Sequence, residues 1–186
     1  ADLETRRAAL VETRAAEKVR LSRASDGFLK RQSIRLIRTL TGEIVRLDAE
    51  ITRQIAAAGL SAKAKRLQSA PGIGPVLAAT LLARLPELGH RHPGQISSLA
   101  GLAPKACDSG RYRGRRRIWG GRAPIRRALY IAAFVASRTD PGLKAFRQRL
   151  EAAGKPFKLA IIACARKLLT ILNALLRDNR DFSHAA

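Results

Sequence analysis

The sequence contains no methionine, one tryptophan and two cysteines, and only 14 Asp and Glu stand against 36 Lys and Arg in its 186 residues. Each shortage excludes something. Cys107 and Cys164 belong to no CxxC or Cys/His cluster, which argues against structural zinc; two reduced thiols are the simpler state than a disulfide. The carboxylates are scattered, mostly on helix faces as ion-pair partners, so the converging acids of a two-metal nuclease are missing. Aromatic residues make up 4% of the chain, too few to anchor a basic amphipathic helix in a membrane surface. The most apolar run, Leu159 to Leu176, is broken by Arg166 and Lys167 and reads as a buried helix, not a membrane span. No signal peptide is recognisable. A chain that lacks methionine and begins with alanine is expected to be a fragment or processed piece, with an N-terminal portion missing. No segment alternates convincingly as a strand, so the expected fold is all-α.

What is abundant is positive charge. The formal net charge is +22, mostly from arginine. That exceeds what solubility needs and points to a polyanionic partner, nucleic acid first.

Two regions follow from the pattern. Residues 1–60 read as a helical coiled-coil region. Ile37, Leu40, Ile44, Leu47, Ile51 and Ile55 recur at steps of three and four, one apolar stripe on a helix. Ser25, Asp26 and Gly27 break this helix from an earlier one to give an antiparallel pair. The stripe serves either the hairpin's own packing or dimerisation. Residues 61–186 read as a compact helical domain. A helix over 62–69, the turn Ala70-Pro71-Gly72-Ile73-Gly74-Pro75 and a helix over 76–83 resemble a helix-hairpin-helix, spanning about 62–85. In that motif Gly72 and Gly74 clear room for backbone N–H groups to grip a DNA phosphate without reading bases. The alternative is a tight helical corner with no ligand. His90 and His92 lie in a loop with no third metal ligand nearby, and no metal site is expected. Helices are further expected over 125–137, from Pro141 to about 153, and from Phe157 to Arg177, the last carrying Leu159, Ile162, Leu169, Leu172, Leu175 and Leu176 as core.

The chemistry concentrates in a basic loop over about 104–124. Ser109 sits between Asp108 and Gly110. Arg111, Arg113, Arg115, Arg116, Arg117 and Arg122 follow, with Arg126 and Arg127 on the first turn of the next helix. Arginine forks match phosphate oxygens in pairs, and cations at a helix N-terminus oppose its dipole unless an anion arrives. A serine hydroxyl held there can attack a phosphodiester, provided that a base takes its proton; equally, a serine before glycine is an ordinary turn residue. Tyr112 and Tyr130 are rival nucleophiles, with Tyr130 better suited to the core. Trp119 either stacks on a base or pins the loop to the domain; pinning is the favoured expectation.

The segments "SAPGIGPVLAATLLARLPELG", "SLAGLAPKACDSGRYRGRRRIWGGRAPIRRALYIAA" and "GKPFKLAIIACARKLLTILNALLRD" closely resemble the C-terminal half of transposases of insertion-sequence family 110, with its relatives 116 and 902. The resemblance runs from about Leu67 to Phe182. It implies a bridge-RNA-guided DNA recombinase. In that family an N-terminal RuvC-like domain holds Mg²⁺ on acidic ligands, a C-terminal serine forms a covalent link to DNA, and a coiled coil serves homo-oligomer assembly. Ser109 matches the serine; Arg111, Arg113 and the basic residues after them match the loop that contacts DNA and RNA. The chain has no RuvC-like domain, so no cofactor is expected within it, and it is expected to bind nucleic acid without recombining it alone. The implied location is the bacterial cytoplasm, on the nucleoid when bound. Two rivals are a non-catalytic helix-hairpin-helix binding module and a structural oligomerisation protein led by the coiled coil.

Overall fold

The computed structural model describes residues 2–105 and 117–183. Within them the fold is all-α, with eight helices and one pair of two-residue strands. The chain divides into two compact units, Ala1–Leu60 and Ser61–Ala186.

The first unit is a hairpin of α1 (Asp2–Arg23) and α2 (Gly27–Ala57). Asp26 stops the turn and starts α2 by accepting the amides of Phe28 and Leu29. The two helices run antiparallel: Arg7 bonds Asp48, Arg14 bonds Thr41 and Glu17 bonds Ser33. Leu10, Leu40 and Ile44 form the centre of the seam, with Val11 and Leu47 packed on it. Leu40, Ile44 and Leu47 of the hydrophobic stripe thus pack within the hairpin. Phe28, Leu29, Leu36 and Val45 remain exposed on α2.

The second unit is built around α8 (Phe157–Arg177), whose inward face carries Ile161, Leu168, Leu169 and Leu172, all fully buried. Each such side chain contributes roughly 1.5–3 kcal/mol relative to exposure. Although α8 is long and apolar enough to cross a membrane, here it is the core helix. It packs against α3 (Ser61–Gln68), α5 (Pro93–Leu99), α6 (Ala123–Thr139) and α7 (Pro141–Ala152). Leu159 departs from the expected core: it is exposed, because it lies in the first turn on the solvent side of the helix. Cys164 is buried and free, and burial pushes its thiol pKa up.

Between α3 and α4 (Pro75–Arg84) lies the Pro-Gly turn. Gly72 adopts φ +77°, and a Cβ there would stand 2.4 Å from the Ala132 carbonyl oxygen of α6. Its missing side chain thus lets the turn lie directly on α6. The loop after α4 is tied to α8 by Asn173, which accepts the Gly89 amide and donates to the Arg91 carbonyl. His92 caps α5: its Nδ1 accepts the Gly94 amide, and Gln95 returns the bond to the His92 amide. The two short strands, β1 (Pro104–Lys105) and β2 (Arg117–Ile118), pair antiparallel, Pro104 opposite Ile118 and Lys105 opposite Arg117.

Candidate nucleic-acid interface

The basic loop leaves the domain after α5 and returns at α6. Ser109, Arg111, Arg113, Arg115 and Arg116 lie outside the described residues, as do Cys107, Asp108 and Tyr112. What the described residues show is the stem on which that segment stands.

Three contacts close the stem. The β1–β2 pair joins its two strands. Below the pair the two backbones touch: a Cβ at Gly101 would lie 2.4 Å from the Gly120 oxygen, and one at Gly121 would lie 2.3 Å from the Gly101 nitrogen. Gly101, Gly120 and Gly121 all have positive φ, at 68°, 70° and 62°, so these positions need glycine for conformation, and Gly101 and Gly121 need it for space as well. Finally the Arg122 amide donates to the Leu99 carbonyl at 2.8 Å.

Arg122 then does more than cap α6. Its guanidinium forms a fork with Glu87, Nη1 and Nη2 each donating at 2.7 Å. Those hydrogen bonds hold the Glu87 carboxyl down at about 2 and raise the arginine pKa. The fork is a phosphate-type grip already occupied by a carboxylate. Glu87 was not singled out by the sequence; it is one acid in a loop, and no spacing announces a partner 35 residues later.

The other expected contacts are distributed as follows. Arg126 donates to the Gly120 carbonyl at 2.6 Å, which braces the glycine bend. Arg127 and Arg117 are exposed. Lys105 adds a cation that sequence reasoning passed over; its Nζ stands 4.9 Å from the centre of the Trp119 ring. Trp119 is 55% exposed, so the expected pinning to the domain does not occur. Tyr130 packs against the core, which takes its ring out of competition for solvent-side chemistry. The α6 N-terminus has no side-chain cap and no acid in its first turn, a terminus suited to an anion. Gly74 caps α4 with open space around it and no side-chain bond to the first amides, whereas Gly72 is turned to α6.

Comparison with known proteins places this stem in a family domain. Residues 64–148 match the model of the transposase IS116/IS110/IS902 family. The chain is similar to the insertion element IS900 uncharacterized 42 kDa protein of Mycobacterium paratuberculosis, 32% identical over 98% of this chain and 48% of that protein. It is 34% identical to the insertion element IS110 uncharacterized 43.6 kDa protein of Streptomyces coelicolor, over 71% of this chain and 32% of that protein. It is also 34% identical to the pilin gene-inverting protein of Moraxella bovis, over 78% of this chain and 47% of that protein. The chain thus spans about half the length, or less, of these curated relatives.

Proposed function

The chain belongs to the IS116/IS110/IS902 transposase family, and from this premise we propose that it forms the DNA-handling, serine-bearing part of a transposase. The observation that carries the reading is the closed stem. Gly101 lies against Gly120 and Gly121, Lys105 pairs with Arg117, and Arg122 bonds Leu99. Together they fix both ends of the 106–116 segment at one edge of a rigid helical unit.

In this reading Ser109 Oγ attacks a DNA phosphorus. An Oγ–P bond forms, the P–O bond to one strand end breaks, the leaving oxygen gains a proton and a base accepts the serine proton. Arg111, Arg113, Arg115, Arg116 and Arg117 neutralise the charge that builds on the phosphoryl oxygens. Arg126 and Arg127 and the α6 N-terminus hold the flanking backbone. The turn at Gly74 offers a second phosphate contact of helix-hairpin-helix type, from the uncapped start of α4. The hairpin of α1 and α2 serves homo-oligomer assembly, and a guide RNA shares the basic face. Among the described residues no three His, Cys, Asp or Glu side chains gather to hold an ion. In this reading the Mg²⁺ implied by the family resemblance is held by the acidic ligands of a RuvC-like domain.

The test is covalent trapping. The chain is reconstituted with a RuvC-like domain and guide RNA on a nicked suicide DNA, and adducts are mapped by peptide analysis. An adduct on Ser109, lost in Ser109→Ala with DNA binding nearly intact, supports the mechanism. An adduct on Tyr112 moves the chemistry to the rival nucleophile. Cleavage that survives in Ser109→Ala overturns the assignment and leaves the binding module.

A further inference from the structure

We propose that Trp119 and Lys105 form a subsite for an unpaired DNA base at the root of the basic loop. The proposal rests on the DNA-handling reading above and adds a strand-state preference that the arginines do not supply.

Trp119 is the one tryptophan of the chain. It directly follows β2, at the point where the stem leaves the domain. Folding leaves the ring largely open: 55% of the residue is exposed to solvent, and it is not among the side chains packed on the core. A large indole in water forgoes the stabilisation that burial brings. Lys105, from the opposite strand, brings its ammonium to 4.9 Å from the ring centroid. Lys105 is itself in register with Arg117. One turn of the stem therefore combines an open aromatic ring with two cations.

That combination grips single strands. A base stacks on the ring, and the cations take the adjoining phosphates. Duplex DNA keeps its base faces covered by neighbouring base pairs, so only an unpaired base uses the ring. Cutting and exchanging strands exposes such bases beside the reacting phosphate, where the 106–116 segment begins and ends. The arginine contacts are Coulombic and tolerate either strand state; the stacking contact discriminates.

The single tryptophan makes the test direct, because its emission reports Trp119 alone. The full chain is titrated with a fluorescently labelled oligothymidylate, a duplex of the same length and an oligouridylate. Tryptophan emission and label anisotropy are read together. The expected result is saturable quenching by oligothymidylate in step with anisotropy. Trp119→Ala then weakens single-strand binding about tenfold, within the range of one base–aromatic stack. Duplex binding changes by less than about twofold, and Trp119→Phe keeps most of the single-strand affinity. Anisotropy without quenching overturns the subsite and leaves the DNA-handling reading standing. Equal losses on duplex and single strand overturn it too, and stronger quenching by oligouridylate overturns the assignment to DNA. If none of the three strands changes the anisotropy, the DNA-handling reading itself fails.

Discussion

Glu87 and Arg122 stand 35 residues apart in the chain and meet fork to fork, both bonds 2.7 Å long. Arg122 also starts α6 and donates its amide to Leu99. One residue therefore joins the loop after α4, the end of α5 and the return strand of the basic loop. Arg122, expected among the phosphate contacts, thus also serves the scaffold on which the basic loop stands.

The fork predicts a pH dependence. Folding lowers the Glu87 pKa from 4.5 to about 2. A carboxyl with a depressed folded pKa adds stability above its unfolded value, and that stability is lost as pH falls from about 4.5 toward 2. The two side chains are 37% and 27% exposed, so solvent screening limits the pair to about 1 kcal/mol. Thermal melts of the full chain across this window are expected to fall more steeply for the wild type than for Glu87→Gln. Parallel slopes would remove the fork from the stability of the stem.

The stem glycines predict a steric effect. Alanine at Gly121 places a Cβ 2.3 Å from the Gly101 nitrogen, and alanine at Gly101 places one 2.4 Å from the Gly120 oxygen. Backbone cannot swing aside as a side chain can, and both positions have positive φ. Each change is expected to cost about 2–4 kcal/mol, read by denaturant unfolding. In the reconstituted transposase it should also depress cleavage more than binding. A Gly121→Ala protein as stable as wild type would mean that the stem is not closed by this contact.

A buried polar pair in the hairpin makes a different prediction. The Ser33 hydroxyl donates to Glu17 at 2.6 Å, and both residues are buried. That bond and Arg20 hold the Glu17 carboxyl below its usual pKa. Ser33→Ala leaves the Glu17 carboxylate one donor short and is expected to destabilise the hairpin. Hydrogen exchange in the full chain should show faster opening of α1 and α2 amides and no change in α8. Uniform loss of protection would instead tie the hairpin's stability to that of the second unit.

Much of the architecture was legible because helix limits are local chemistry. Asp26, Pro75, Pro124 and Pro141 mark starts that the helices respect, and the stripe through Leu40 and Ile44 names the hairpin seam. Three features were not legible because each depends on a distant partner. Leu159 fits the apolar pattern of α8 yet faces solvent, since among the described residues no element covers the first turn on that side. The strands at 104–105 and 117–118 are too short to show alternation. The glycines at 101 and 121 read as loop residues singly; only their meeting reveals a joint. For Ser109 the sequence, through its resemblance, remains the source of the assignment.

Gly72 and Gly42 separate two uses of glycine. At Gly72 a Cβ would stand 2.4 Å from the Ala132 carbonyl, with φ at +77°. Gly72→Ala must push the turn off α6 and is expected to destabilise the second unit by about 2–3 kcal/mol. Gly42 lies inside α2 with nothing within 4 Å of its would-be Cβ. There alanine removes unfolded-state freedom and adds helix propensity, a gain of about 0.5–1 kcal/mol. Hydrogen exchange localises each effect to its own unit. If Gly72→Ala leaves stability unchanged, the close approach to α6 is not what fixes glycine there. The phosphate-grip reason would then regain priority, and DNA affinity of the same variant would decide it: unchanged stability with weakened binding is the signature of a glycine kept for its ligand.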